Sequence, residues 1–134
     1  MDIIRTPLDL DVDDDGCMRR MQADLVYDPR DACAVRLHIN DNGRPVRWDF
    51  ARGLLMQGIL TSRWTGMGDV RIRRCDRGRL RIRLQTPKGT ADLVASWPQA
   101  RAFLCRTYEA VPEGREFDAV DMDAELRLLL GEAA

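Results

Sequence analysis

The chain has 134 residues, of which 45 % are hydrophobic, and a formal net charge of −1 at pH 7. That length suits one compact core, and the balanced charge gives no global attraction to nucleic acid or to an acidic membrane surface. No apolar run approaches the length that spans a bilayer, and the N-terminus lacks the basic-then-apolar order of a signal peptide. We therefore expect a soluble, cytoplasmic protein with a single domain over residues 1–134.

The first half of the chain alternates apolar and polar residues, which predicts strands. Four strands follow from this period of two: 4–12, 21–27, 33–39 and 46–50. In the first strand Arg5, Asp9 and Asp11 lie opposite the apolar residues, the pattern of an antiparallel sheet covered on one side. Asp41-Asn42-Gly43 predicts a hairpin turn, and Asp49 suits either a helix cap or the polar face of the fourth strand.

A helix over residues 50–60 follows the fourth strand. Its apolar residues recur at helical spacing: Phe50, Leu54, Leu55 and Ile59. This spacing predicts one buried face, with Arg52 and Gln57 in water. Gly66 and Gly68 then permit a tight reversal before the next strand.

The second half of the chain predicts a three-stranded meander and two helices. The strands are 70–72, 80–84 and 91–95, joined by turns at 76–78 and 87–89. Ser96-Trp97-Pro98-Gln99 predicts a capping box that opens a helix ending before Pro112. Asp121 is expected to cap a last helix that buries Met122, Leu126, Leu129 and Leu130.

The order of elements predicts an α+β fold of antiparallel sheets with about seven strands and three helices. Four strands and a helix precede three strands and two helices. We interpret this order as two similar sheet-and-helix halves around one core.

No pattern of residues indicates a metal, cofactor or catalytic site. The cysteines Cys17, Cys33, Cys75 and Cys105 form no Cys-x-x-Cys pair; we expect them to be reduced, with Cys33 and Cys105 as small core residues. His38 is the single histidine, and Ser62 and Ser96 are the two serines. These residues form no recognisable catalytic motif, so we expect a protein that is not an enzyme.

An acidic segment, Asp11–Gly16, matches the first half of an EF-hand calcium loop. The twelfth position is Gln22 instead of a bidentate glutamate, and Arg19 and Arg20 would oppose a cation. We therefore interpret the segment as a solvated acidic turn between strands.

The most distinctive charged feature is a set of five arginines that alternate with apolar residues: Arg71, Arg73, Arg79, Arg81 and Arg83. A period of two places all five on one face of the sheet. Because neighbouring arginines repel, acidic groups should compensate them, supplied by Asp9 and Asp11, by another subunit or by a partner. Two alternatives stay open: a partner-binding surface, or a solvated face balanced internally.

Two linked motifs carry a resemblance to a known family. Phe50-Ala51-Arg52-x-Leu54-Leu55-x-x-Gly58, followed by Thr65-Gly66-x-Gly68-Asp69-Val70-Arg71, resembles the SsgA-like sporulation and cell-division proteins of filamentous actinomycetes. Further segments fall in the family's order: Leu25-Val26-Tyr27-Asp28, Ala34-Val35, Phe103-Leu104-x-Arg106-Thr107, Val111-Pro112 and Glu125-Leu126. The SsgB-type members are the most similar, although the hairpin at 76–78 is tighter and residues 13–20 are more charged than in the family.

This resemblance implies a single SsgA-like domain with a fold likened to the Whirly proteins. It also implies a homo-oligomer, possibly a trimer. The implied function is non-catalytic: such proteins recruit and position FtsZ at future sporulation septa. They work with an SsgA-like partner and associate with the membrane only indirectly, through division proteins.

The alternative function is a single-stranded nucleic-acid-binding module that uses the arginine-rich face. Nucleic-acid binding of this kind needs free aromatic rings for base stacking. The core is expected to take up Trp48, Phe50, Phe103 and Tyr108. We therefore expect no specific nucleic-acid partner.

Overall fold

Seven strands and two α-helices occupy residues 2–117, the part of the chain that the computed structural model describes. They are β1 (Ile4–Asp14), β2 (Cys17–Tyr27), β3 (Ala34–Asp41), β4 (Arg44–Ala51), α1 (Arg52–Leu60), β5 (Val70–Cys75), β6 (Arg79–Thr86), β7 (Gly89–Ser96) and α2 (Trp97–Ala110), with a 3₁₀ turn at Pro29–Asp31. Every predicted strand and the first two predicted helices are present. The helix predicted from Asp121 lies outside the described residues.

The seven strands form one antiparallel sheet in the order β4-β3-β2-β1-β7-β6-β5. Strand β1 joins the two halves, because its residues 10–13 pair with residues 92–95 of β7. The antiparallel sheets that the sequence predicts are thus one continuous sheet, in which the two halves meet at the β1–β7 pair. Pairing between residues 79 to 85 positions apart leaves no trace in local periodicity.

One face of the sheet, called the covered face here, packs against α1 and α2. Its strand residues include Leu10, Leu25, Leu37 and Ile82, each no more than 1 % exposed. Helix α2 adds residues such as Phe103, which is fully buried. The opposite face, called the open face, carries the alternating arginines and carboxylates. The period of two in the sequence thus separates the two faces as predicted.

Two glycines of the family motif stand where a side chain would not fit. A Cβ on Gly58 would lie 2.6 Å from Cβ of Ile72, so the glycine allows α1 to approach β5 closely. Gly66 has φ +100°, and its Cβ would lie 2.7 Å from the carbonyl oxygen of Val70. Gly68 has open space and no positive φ, so only Gly66 is needed for the predicted reversal.

Arg52 is buried, contrary to the prediction that it faces water; only 2 % of it is exposed. Its Nη1 donates to the carbonyl oxygens of Thr107 and Val111 at 3.0 and 2.7 Å, and its Nη2 pairs with Glu116 at 3.1 Å. The guanidinium carbon lies 3.9 Å from the ring centroid of Tyr108. The last carbonyls of a helix lack intrahelical donors, so Arg52 at the start of α1 satisfies groups at the end of α2.

The two helix starts differ from each other. Ser96 accepts a hydrogen bond from the backbone N–H of Gln99 at 3.3 Å and caps α2 as predicted. The Gln99 side chain does not complete the capping box; it bonds the backbone N–H and the carboxylate of Asp9 at 2.6 and 3.0 Å. Asp49 lies in β4 and binds Arg47, so α1 begins without a side-chain cap.

The prediction that Cys33 and Cys105 are core residues is wrong, because both are exposed. Cys33 precedes β3, which begins only at Ala34, so the strand period does not extend to it. Cys105 lies outside the buried face of α2, which consists of Ala100, Phe103, Leu104 and Thr107. No disulfide links cysteines within the described residues.

Candidate functional site

The five predicted arginines lie together on the open face of β5 and β6. In the antiparallel register Arg71 is opposite Arg83, and Arg73 is opposite Arg81. Arg79 is opposite Cys75 at the end of the hairpin. Like charges directly across a strand pair destabilise a sheet unless acidic groups or a ligand compensate them.

Two carboxylates compensate part of this charge. Arg83 Nε donates to Asp92 Oδ1 at 2.8 Å and Nη2 donates to Oδ2 at 3.3 Å, a bidentate contact that lowers the pKa of the Asp92 carboxyl. Arg81 Nη1 lies 3.4 Å from Asp13 Oδ2. Both carboxylates are on the open face, in β7 and β1.

The predicted compensation by Asp9 and Asp11 is wrong. These carboxylates contact Arg20 of β2 at 3.5 and 3.0 Å. The hairpin of β1 and β2 places Arg20 directly opposite Asp11, whereas Asp13, nearer the end of β1, is the carboxylate that reaches Arg81 of β6 across β7. Sequence reasoning did not establish the order of strands and so assigned the wrong carboxylates.

The positive charge of the arginines on the open face is only partly compensated by carboxylates. Arg71 and Arg79 have no ion-pair partner among residues 2–117. Arg73 Nε is buried and has no hydrogen-bond partner there. The open face therefore retains positive charge that a partner could neutralise.

Trp64 is the residue of this face that the sequence analysis missed. The guanidinium carbons of Arg73 and Arg83 lie 5.0 and 4.4 Å from its ring centroid, within the range of cation–π contacts. The loop that carries it follows the outer edge of β5, where Thr65 exchanges backbone hydrogen bonds with Ile72 at 2.9 and 3.1 Å. The sequence feature that could have indicated this residue is its position just before the glycine turn that leads into β5.

The acidic segment forms a tighter turn than predicted. Strand β1 continues to Asp14 and β2 begins at Cys17, so Asp11 and Asp13 lie in a strand. Asp13 Oδ1 accepts from the backbone N–H of Gly16 at 3.0 Å, and its Oδ2 faces Arg81. These carboxylates have protein partners.

We expect this segment to bind no calcium at physiological concentrations, because Gln22 replaces the bidentate glutamate and arginines face two of the carboxylates. Isothermal titration calorimetry with calcium should give only heats of dilution. A saturable isotherm of micromolar affinity that disappears in Asp13→Ala would contradict this expectation.

The histidine and the two serines considered for catalysis have different structural environments. His38 is half-buried, its pKa is lowered chiefly by desolvation, and its Nε2 lacks a hydrogen-bond partner within residues 2–117. Ser96 caps α2, and Ser62 is exposed in the loop after α1.

No group of three metal-ligating side chains occurs in the described part of the chain. Neither described helix has the length and apolarity to cross a bilayer.

Comparisons with known proteins cover nearly all of this structure. The model of the family described as Streptomyces sporulation and cell division protein, SsgA, matches residues 21–116. The sporulation-specific cell division protein SsgB of Thermobifida fusca is 45 % identical over 109 residues, covering 78 % of this chain and 77 % of the relative. SsgB of Streptomyces coelicolor is 40 % identical over 115 residues, covering 83 % and 82 %. The crystal structure of an SsgA-like sporulation-specific cell division protein from Thermobifida fusca gives a TM-score of 0.83 at 36 % identity, with 95 % of both chains covered.

Proposed function

Because this chain belongs to the SsgA family of sporulation and cell division proteins, we propose that it recruits and positions FtsZ at the future sporulation septum. The observation that carries the proposal is similarity, over 78 to 95 % of the chain, to proteins named sporulation-specific cell division proteins, in sequence and in fold. The mechanism is selective binding without catalysis. The protein acts at the septum as a single SsgA-like domain and homo-oligomer, together with an SsgA-like partner.

The open face supplies the surface for this binding. Its five arginines, Arg71, Arg73, Arg79, Arg81 and Arg83, are only partly compensated by Asp13 and Asp92. Guanidinium groups form bidentate contacts with carboxylates, which suits recognition of a protein surface. We assign FtsZ to this face.

A single-stranded nucleic-acid-binding module is the second candidate, favoured by the position of Trp64 among the arginines. One aromatic ring provides little stacking, and this ring already contacts Arg73 and Arg83. The net charge of −1 adds no long-range attraction to phosphates. These observations favour FtsZ binding over nucleic-acid binding.

The purified protein is expected to pellet with FtsZ polymers. The triple variant Arg71→Glu, Arg73→Glu, Arg81→Glu should lose most of this cosedimentation, because charge reversal repels an acidic partner surface. A matched triple variant, Arg44→Glu, Arg101→Glu, Arg106→Glu, changes exposed residues on β4 and α2 and should pellet like the wild type. Thermal melting of each variant checks that the fold is intact.

A salt titration with a labelled single-stranded oligonucleotide completes the test. We expect only weak association that disappears as salt rises. Tight binding to the oligonucleotide at physiological salt, without pelleting by FtsZ, would replace the proposed function by the second candidate.

A further inference from the structure

A concave pocket of about 530 Å³ lies at the turn between β5 and β6. Its charged lining residues are Arg73, Arg74, Arg77, Arg79, Arg81 and Asp76. We call it the arginine pocket. Five cationic groups here face one carboxylate, a local excess that the net charge of the chain conceals.

The rest of the arginine face does not share this excess. The neighbouring cavity of about 580 Å³, at the other end of β5, contains Arg71 and Arg83 together with Asp69 and Asp92. Its charges therefore balance. Although Arg71 forms no ion pair among the described residues, the excess of arginines over carboxylates lies at the hairpin end of β5 and β6.

Three guanidinium groups of the arginine pocket have protein contacts. Arg81 lies near Asp13, Arg74 is 4.4 Å from the ring centroid of Trp97, and Arg73 contacts Trp64. These contacts hold the groups in place around the pocket. The Arg73 Nε remains a buried donor without a hydrogen-bond partner in the described chain.

The other two guanidinium groups are available for a ligand. Arg77 and Arg79 are exposed and have neither an ion pair nor an aromatic contact among the described residues. Arg77 also has φ +63°, a left-handed conformation that favours glycine or asparagine and is unfavourable for a long side chain. An arginine at this turn position gains no stabilising contact within the described chain.

We propose that the arginine pocket binds the carboxylates of an acidic peptide segment on the protein partner. This proposal rests on the proposed function, because it names the chemistry of the partner at the same face. Several guanidinium groups around one concavity can hold adjacent carboxylates through bidentate hydrogen bonds.

A nucleic-acid strand fits this pocket less well. A strand needs a continuous track of positive charge, whereas the adjoining cavity on β5 and β6 is balanced by Asp69 and Asp92. The ring of Trp64 contacts two guanidinium groups. The charge distribution thus favours a short run of carboxylates.

The test uses fluorescence anisotropy of a labelled hexaglutamate peptide with the full chain. We expect saturable binding that weakens with salt, and no binding of a hexaglutamine peptide. The double variant Arg77→Gln, Arg79→Gln should bind about tenfold more weakly, since each exposed charge pair contributes modestly. The matched double variant Arg44→Gln, Arg106→Gln removes the same charge from exposed positions outside the pocket and should bind like the wild type.

Equal losses in the two double variants would overturn the proposal, as would equal binding of the two peptides. Tighter binding of an oligonucleotide of the same charge would overturn the assignment to carboxylates. Cosedimentation separates this proposal from the proposed function. Peptide binding without pelleting by FtsZ supports the arginine pocket and contradicts recruitment, whereas pelleting without peptide binding contradicts the pocket alone.

Discussion

Replacing Arg52 by methionine is expected to lower the free energy of unfolding by about 3 to 5 kcal/mol. The substitution removes the donors to the carbonyl oxygens of Thr107 and Val111 and leaves Glu116 without its cation. It also removes the contact with the ring of Tyr108. A methionine fills part of the space but cannot donate a hydrogen bond, so the Val111 carbonyl loses the Arg52 donor and the Thr107 carbonyl keeps only the backbone N–H of Val111.

Urea denaturation measures this effect, and the melting temperature should fall by on the order of 10 °C. Arg52→Lys keeps the charge but not the forked geometry, and its loss should be smaller. Gln57→Met places the same side chain at an exposed position of the same helix and should change stability by no more than about 0.5 kcal/mol. An Arg52→Met protein as stable as the wild type would contradict the structural role.

Leu55→Ala is expected to lower the free energy of unfolding by about 2 to 5 kcal/mol. Leu55 is 1 % exposed and lies in the core between α1 and the covered face of the sheet. Removing its isobutyl group loses buried apolar area and leaves a cavity that a closely packed helix can only partly fill. Leu54, predicted to be buried with it, is only half-buried, so the same truncation there should cost less.

Leu60→Ala is the matched control, because Leu60 belongs to the same helix and is 69 % exposed. Its truncation should alter stability by no more than about 0.5 kcal/mol. Below its own melting temperature the Leu55→Ala protein should pellet with FtsZ like the wild type. Unchanged melting together with lost binding would identify α1 as a docking surface and disprove the burial of Leu55.

The motif that carries the family resemblance marks the fold more than the binding surface. Arg52 donates hydrogen bonds to carbonyl groups at the end of α2, and Gly58 leaves space for the side chain of Ile72. Gly66 adopts the positive φ of the turn that leads into β5. Among the arginines of the open face, only Arg71 belongs to the quoted motif. The residues of the motif and those of the proposed binding surface are therefore largely different, so the two predictions above concern stability and the binding tests concern the sheet.

The features that depend on near neighbours can be predicted from the amino-acid sequence alone. A period of two located the seven strands and placed Arg71, Arg73, Arg79, Arg81 and Arg83 on one face, because successive side chains of a strand point to opposite sides. Turn residues located the hairpins, and the capping residue located the start of α2. These signals are local, so they survive without knowledge of the fold.

Contacts between residues far apart in the chain are visible only in the folded protein. Arg52 has the polarity of an exposed residue, and its burial depends on carbonyl groups 55 and 59 positions away. Likewise, Asp92 contacts Arg83 from the neighbouring strand β7, and Asp13 contacts Arg81 across β7 because β1 pairs with β7. The charge excess of the arginine pocket follows from the same strand order. Such pairings depend on which strands become neighbours when the core forms. Hydrophobic burial, the main driving force, is non-directional, so the local pattern shows which residues are buried but not which strands pair.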